Sequence, residues 1–429
     1  MLSAFVNAFR VPELRKKILF ALGLIALYRV GAYLPVPGIP FQGLVSQFQD
    51  ASTGLQGTIA LLNLFSGGAL SHVSVFSLGI MPYITASIIM QMMQAVVPSL
   101  GRLAKEGESG QRKITQYTRY LTLALSFINA IGYLALLKGP SFGLSFASTG
   151  IPSLLQDSVI VLTQVVGSML IMWMGELITQ RGIGNGMSLI IFANIMARLP
   201  EAIFGSVAYG NNGTIMTVIV VLIILAVIPM IIFIERGQRR IPIQYAKRVV
   251  GRKVMGGQST YLPIKVNTAG VIPIIFASAI LYFPAQIAVF FHDVQWLQSV
   301  SNAISRGWIN WIFSVVLIVF FAYFYTAMVF NPEDTSDNLR KQGGFIPGVR
   351  PGGATVQYIK NVINRITLPG AIFIALIAVL PSIFFYFTPN PLIQAFGGTS
   401  ILIMVGVALD TMSKVESQLK MHDYDGFFK

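Results

Sequence analysis

The chain has 429 residues, of which 54% are hydrophobic and only 11% are charged, against about 25% charged residues in an ordinary soluble domain. A mean hydropathy of +0.70 indicates a polytopic membrane protein rather than a soluble one. The absence of cysteine excludes disulfides, thiol nucleophiles and cysteine metal sites, and the three histidines lack the spacing of metal ligands.

The first segment, residues 1–17, carries a basic cluster ahead of the first long apolar run. It predicts a cytosolic amphipathic helix that lies at the membrane surface. Neither a cleavage site before the end of that run nor an arginine- and serine-rich leader is present, which is typical of a protein of the bacterial cytoplasmic membrane.

Ten apolar runs are long enough to cross a membrane, for which a helix needs about 20 residues. They lie at about 18–36, 73–97, 117–138, 155–179, 183–203, 214–234, 267–291, 308–330, 367–388 and 396–413. The sequence therefore predicts an all-α fold with ten transmembrane helices.

Residues 57–97 contain no lysine, arginine, aspartate or glutamate, yet they do not form one uniform apolar run. The part at 58–65 stops at Ser66-Gly67-Gly68 and would cover only ~12 Å as a helix, so it cannot span alone. Irregular backbone at membrane depth persists only when it is buried in protein or lines a cavity. We therefore expect a short mobile or re-entrant half-helix inside a pore.

The positive charge is distributed very unevenly across the predicted membrane. One side carries 26 of the 30 Lys and Arg residues, whereas the other carries only Lys138, Arg198 and Arg306. The positive-inside rule then places both termini in the cytosol, including the tail 414–429. Because topology explains much of the net charge of +14, that charge is not evidence of binding to DNA.

Two cytosolic loops, 235–266 and 331–366, are longer than the usual connections between bundled helices. The first alternates basic with β-prone residues at 240–245, which predicts a projecting hairpin, and the second bends at several Gly and Pro pairs. One interpretation is that the basic residues of these loops only set the membrane topology and keep the loops solvated. Docking of an acidic or RNA-bearing partner is the favoured one, because long loops commonly carry function.

The spans divide into five and five at the uncharged external loop 205–213, giving an N-terminal half at 18–204 and a C-terminal half at 214–413. Because five is odd, the second half starts on the opposite side of the membrane from the first. Inverted halves of this kind often place a binding site or pathway between them.

Ionisable residues inside the spans are few and lie near their ends, at Arg29, Glu176 and Asp410. Proton- or ion-coupled transporters usually place such groups in mid-membrane, so a secondary transporter of a small solute is the weaker alternative. The glycines at 182–186 lack the strand and the lysine of a phosphate loop and read as a close-packed turn. No catalytic set stands out, so neither an enzyme nor a cofactor is expected.

Several isoleucines fall ~12–18 Å from an interface when counted along their spans. They are Ile80, Ile84, Ile191, Ile275 and Ile403. In addition, Phe76, Ile80, Ile84 and Ile88 recur at a spacing of four, as on one face of a helix. These isoleucines either face lipid or converge into an aliphatic constriction that stops water and ions by dewetting.

Long motifs at 63–91, 105–120, 180–192, 258–280, 347–352 and 397–403 closely resemble the SecY family, the channel subunits of the bacterial Sec translocon. Together they cover essentially the whole chain. The resemblance implies ten helices in two inverted five-helix halves around a central pore, with a plug at about 57–70. It also implies a channel that passes unfolded secretory polypeptides and releases transmembrane segments sideways into lipid.

The family's functional positions can be transferred residue by residue. The pore ring corresponds to Ile80, Ile84, Met187, Ile191, Ile275 and Ile403, where Met187 departs from a ring that is often all isoleucine. The plug and its hinge correspond to Leu61, Asn63, Phe65, Ser66, Gly67 and Gly68. The lateral gate, between spans two and three and spans seven and eight, is expected to include Thr85, Gln91 and Phe283.

The two basic loops resemble the surface that docks both the ribosome and the SecA motor ATPase. The candidate residues are Arg240, Lys247, Arg248, Arg252 and Arg350. The resemblance further implies the small membrane subunits SecE and SecG, signal sequences and nascent polypeptides as partners within the lipid bilayer. Because the chain has no ATP site of its own, the driving energy must come from a partner.

Overall fold

The computed structural model describes residues 9–37, 66–69, 72–138, 153–208, 213–245, 248–250, 253–255, 259–290, 294–305, 307–387 and 399–426. The helices are α1 (Pro12–Gly31), α2 (Met81–Val96), α3 (Pro98–Lys105), α4 (Glu108–Lys138), α5 (Ser153–Arg181), α6 (Gly186–Val207), α7 (Gly213–Arg236), α8 (Ile272–Phe290), α9 (Gln295–Ser305), α10 (Gly307–Val329), α11 (Pro332–Lys341), α12 (Gly353–Phe387) and α13 (Thr399–Gly426). The strands are β1 (Gln238–Tyr245), β2 (Arg248–Val250), β3 (Lys253–Met255), β4 (Ser259–Lys265) and β5 (Gly344–Phe345).

A helix lies within each of the ten predicted spans, so the molecule is a helical polytopic membrane protein. By length and composition alone, five helical stretches of the described residues qualify as membrane spans: α5, α6, α7, α10 continued by α11, and α12. The pair α2 and α3, bent by 100° at its break, raises that number to six. The other helices fit the predicted spans, and the count of ten stays a prediction.

The first helix begins earlier than the predicted span. It starts at Pro12, inside the segment assigned to a separate surface helix, and continues without a break to Gly31. Leu14 and Ile18 are buried in a cluster with Ile183 and Val415. Packing against the start of α6 and the end of α13 therefore extends the first span into the predicted surface segment.

The second span contradicts the prediction of one helix over 73–97. Residues 72–80 form turns, with φ of 43° at Val73 and 58° at Gly79, and α2 begins only at Met81. Pro82 lies in the first turn of α2, where its missing N–H costs no hydrogen bond. The Val36 N–H donates to the Val73 carbonyl at 3.0 Å and the Val75 N–H to the Leu34 carbonyl at 2.9 Å, so protein partners satisfy this irregular backbone.

Most of the core is a single apolar cluster built from the membrane helices. Among these helices, α4 packs against α2 and α5, α10 packs against α8 and α12, and α13 packs against α6, α7 and α12. The outer face of α7 exposes Ile215, Ile219 and Leu222, as expected for a helix that contacts lipid. The turns at 72–80 are inside this cluster through Phe76 and Ile80.

The two long loops that are predicted to be cytosolic form one folded unit rather than two separate projections. Strands β1 and β4 pair antiparallel from Gln238↔Lys265 to Gln244↔Ser259, which confirms the predicted hairpin. From the second loop, β5 pairs with the other edge of β1 at Gln244↔Phe345. Beneath them is a second apolar cluster of Ile241, Ile243, Ile264, Leu339, Ile346, Ile359 and Ile363. Helix α11 and the start of α12 occupy much of the segment predicted as a loop at 331–366.

Candidate functional site

The six residues of the predicted pore ring lie together in the largest apolar cluster. They come from four elements, the start of α2 and helices α6, α8 and α13, and all are at most 8% exposed. Each lies next to or within the first two turns of its helix. The arrangement brings aliphatic side chains from both halves of the chain into one place, and their role as a ring stays a prediction.

The predicted depth of Ile80 assumed that residues 73–80 are helical, and that assumption was wrong. Ile80 is the residue that precedes the first turn of α2. The predicted helical face therefore holds only for Ile84 and Ile88. Phe76 is nevertheless 5% exposed and stacks on Tyr28 with ring centroids 5.5 Å apart. Tertiary packing rather than helical spacing brings Phe76 and Ile80 into the core.

The glycine turn before α6 fixes the position of Met187. The Met187 N–H donates to the Asn185 side-chain oxygen at 3.1 Å, and the Gly186 N–H donates to Thr179 Oγ1 at 2.9 Å. A side chain at Gly175 would overlap the Met187 sulfur, so α5 comes close because it has glycine there. This confirms the interpretation of residues 182–186 as a close-packed turn.

The plug falls partly outside the described residues, since Leu61, Asn63 and Phe65 lie there. The hinge is described: Gly67 and Gly68 have φ of 65° and 91°, in the left-handed region that favours glycine. The Tyr28 hydroxyl donates to the Ser66 carbonyl at 3.3 Å, and Arg29 Nη1 donates to the Gly67 carbonyl at 3.1 Å. The sequence did not predict these two partners, although an arginine inside a span is itself a signal of a functional site.

Two of the predicted lateral-gate residues are half-buried on α2. Thr85 Oγ1 donates to the Met81 carbonyl at 3.1 Å, and Gln91 Nε2 donates to Ser87 Oγ at 3.1 Å, so both use these donors within their own helix. Phe283 belongs to α8, and its side chain is outside the described part. Helix α8 packs against both α2 and α4, which places the predicted gate helices in contact.

The predicted docking residues are only partly described. Arg240 on β1 and Arg350 before α12 are exposed on the unit that the two long loops form. Arg248 contributes its backbone to β2, opposite Met255, whereas Lys247 and Arg252 lie outside the described residues. Because β5 joins the second loop to β1, Arg240 and Arg350 belong to a single folded unit rather than to two independent loops.

Two of the three ionisable groups near the span ends, Glu176 and Asp410, are in ion pairs. Arg119 Nε donates to Glu176 Oε1 at 3.0 Å and joins α4 to α5, and Asp410 accepts from Lys414 at 2.8 Å within α13. Within the described ranges, no group of three or more His, Asp and Glu residues could hold a metal ion. These pairs are structural links rather than a charged relay.

Comparisons with known proteins agree with this architecture. A sequence profile of the SecY family matches residues 74–412. The protein translocase subunit SecY of Mycobacterium tuberculosis is 47% identical over 449 aligned residues that cover 100% of both chains. A solved SecY channel, whose plug domain is described as stabilising the closed state, has a TM-score of 0.60, 17% identity and 95% coverage of each chain. The channel of a canine ribosome-channel complex from the endoplasmic reticulum has a TM-score of 0.56, 16% identity and the same coverage.

Proposed function

The chain belongs to the SecY family, and from that membership we infer that it is the protein-conducting channel subunit of a Sec translocase. The observation that carries this inference is 47% identity over the full length of a protein translocase subunit. The chain is a channel subunit and not an enzyme. A secondary transporter would need a polar pocket and coupling charges in mid-membrane, whereas Glu176 and Asp410 near the span ends are instead paired with Arg119 and Lys414.

We propose that the six clustered aliphatic residues form the waist of the pore. A translocating polypeptide is mostly unfolded, so the waist must admit any side chain without binding it. An aliphatic collar offers neither hydrogen bonds nor fixed charges that would retain a passing residue. The same collar excludes water and ions by dewetting when no polypeptide is present. The flexible thioether of Met187 fills irregular gaps and is compatible with such a seal.

A lateral gate between α2 and α4 on one side and α8 and α10 on the other completes the mechanism. A signal sequence of ~20 apolar residues is more stable in lipid than in a pore, so a side opening allows it to partition. Its insertion shifts the equilibrium toward the open channel by as much as its affinity for the open state exceeds that for the closed one. Contact of α8 with both α2 and α4 supports this location.

The proposal extends to topology and partners. Both termini face the cytosol of a bacterium, the chain is in the inner membrane, and the halves 18–204 and 214–413 surround the pore. SecE and SecG accompany the channel, and SecA or the ribosome docks on the cytosolic unit and supplies the driving energy. The exposure of Arg240 and Arg350 on that unit supports a docking role. The canine channel with a similar fold, described in a ribosome-channel complex, supports it as well.

Reconstitution tests the proposed function directly. We expect vesicles that contain the chain with its small partner subunits to take up an unfolded secretory protein when the motor and ATP are added. The control substrate lacks its signal sequence. Uptake of small solutes driven by an ion gradient, with no transport of the secretory protein, would establish the transporter alternative instead.

Deletion of residues 58–66 should raise the resting ion conductance of the channel, because the proposed plug covers the outer half of the pore. We expect an increase of about tenfold, the factor that ~1.4 kcal/mol produces in the closed–open equilibrium. Single-channel recording in planar bilayers measures it, with conductance during translocation as the reference. A resting conductance equal to that of the intact chain would contradict the assignment of the plug.

A further inference from the structure

We propose that Arg29 is a positioning residue that fastens the plug hinge to α6 and so sets how readily a signal sequence opens the channel. This rests on the proposed function. The guanidinium makes three hydrogen bonds: Nη1 donates to the Gly67 carbonyl at 3.1 Å, and Nη2 donates to the Ala193 carbonyl at 2.8 Å and to Asn194 Oδ1 at 3.2 Å. One side chain of α1 therefore joins the hinge to α6.

The hinge is held at two consecutive carbonyls by two consecutive residues of α1. Tyr28 is fully buried, and its hydroxyl donates to the Ser66 carbonyl at 3.3 Å. Arg29 then holds the next carbonyl, that of Gly67. Since both donors are on the same helix turn, the hinge is anchored in orientation as well as in position.

The partners of Arg29 are neutral. Among the ion pairs of the described residues, none includes Arg29. A guanidinium inside a membrane span is costly and ordinarily marks a functional site. Here its charge strengthens hydrogen bonds to backbone and amide oxygens, which are stronger than bonds between neutral groups. Because water in an open pore can replace these acceptors, the same bonds can be broken reversibly.

The backbone at the hinge fits this arrangement closely. Gly67 adopts a φ of 65°, and a Cβ at that position would lie 2.6 Å from Asn194 Oδ1 and 2.9 Å from the two terminal nitrogens of Arg29. Only glycine allows the hinge to approach so closely. Gly68 is also left-handed, with a φ of 91°, but nothing lies within 4 Å of its Cβ position. The contact is therefore specific to Gly67 rather than general to the hinge.

Arg29→Ala should release the hinge without touching the pore waist. Because the variant loses the hydrogen bonds that the charged guanidinium makes, we expect the resting conductance of the reconstituted complex to rise about tenfold. We also expect the variant to export more of a reporter with an impaired signal sequence than the wild type, which exports that reporter poorly. Arg29→Lys should restore part of the closure, because lysine keeps the charge but not the planar fork of donors. A merely structural role would lower export of both reporters instead.

Arg198→Ala is the matched control, since Arg198 is a half-buried arginine on α6 that lies outside the hinge contacts. It should leave both conductance and signal selectivity unchanged. Wild-type conductance and selectivity in Arg29→Ala, at normal amounts in the membrane, would overturn the proposal. If that variant does not accumulate, Gly67→Ala decides, because its Cβ displaces the hinge while Arg29 remains.

The two proposals fail in distinguishable ways. A wild-type complex that does not transport the reporter with an intact signal sequence would count against the proposed function, whatever Arg29→Ala does. A transporting wild type with unchanged conductance and selectivity in Arg29→Ala, or in Gly67→Ala where Arg29→Ala does not accumulate, would count against the hinge role alone.

Discussion

Replacing Ile84 and Ile191 together by asparagine is expected to make the resting channel leak ions and to relax its selectivity for signal sequences. The two side chains are 7% and 2% exposed and come from α2 and α6, on different elements of the proposed waist. Two amides at that position would hydrogen-bond water and so remove the dewetted barrier. We expect at least a tenfold rise in resting conductance, equivalent to ~1.4 kcal/mol of lost barrier.

The matched control places the same change on a surface that faces outward. Ile128 and Ile131 on α4 are each 53% exposed, so their replacement by asparagine should alter insertion but not conductance. Replacing Ile84 and Ile191 by leucine should preserve the seal. Conductance and selectivity at wild-type values in the asparagine pair would mean that these isoleucines do not line a pore.

The sequence predicted the positions of the membrane helices because hydropathy over ~20 residues reports a requirement of the bilayer itself. It could not separate helix from buried turn at residues 72–80, since both are apolar and uncharged. Val73 takes a φ of 43° there, uncommon for a β-branched residue. The backbone hydrogen bonds that hold this turn come from the segment after α1, at Leu34 and Val36, and those contacts are not local in sequence.

The same limit explains the other features that the sequence did not predict. Strand β5 pairs Gln244 with Phe345, across a separation that no local pattern reveals. Two of the three partners of Arg29 are backbone carbonyls, which every residue has, so no sequence pattern indicates which ones it would reach. Burial of the clustered isoleucines was one of the two alternatives that the sequence offered, whereas a contact with a particular distant partner was not predictable.

Arg350 is expected to matter for docking because the unit formed by the two long loops holds its backbone in place. Its carbonyl accepts from Thr355 Oγ1 at 2.9 Å, and the Gly352 carbonyl accepts from Ser336 Oγ at 3.3 Å. Four residues earlier, Ile346 is 2% exposed in the apolar cluster beneath the strands. The side chain of Arg350 therefore projects into solvent from a backbone that is fixed on both sides, so a partner meets a preformed charge rather than a loose loop.

Arg350→Glu should lower motor- or ribosome-driven transport about tenfold or more, since a like charge against an acidic or phosphate-bearing partner is repulsive and slows association. Membrane insertion of the chain and its resting conductance should stay normal, because no contact of the pore is changed. Lys360→Glu alters the net charge equally at another exposed position of the same unit, on α12, and should have little effect. Transport assays at two salt concentrations separate the cases: the defect should shrink at high salt, where surface charges are screened. Equal transport rates for Arg350→Glu and wild type at low salt would contradict the docking role and mean that the positive charge only sets the membrane topology.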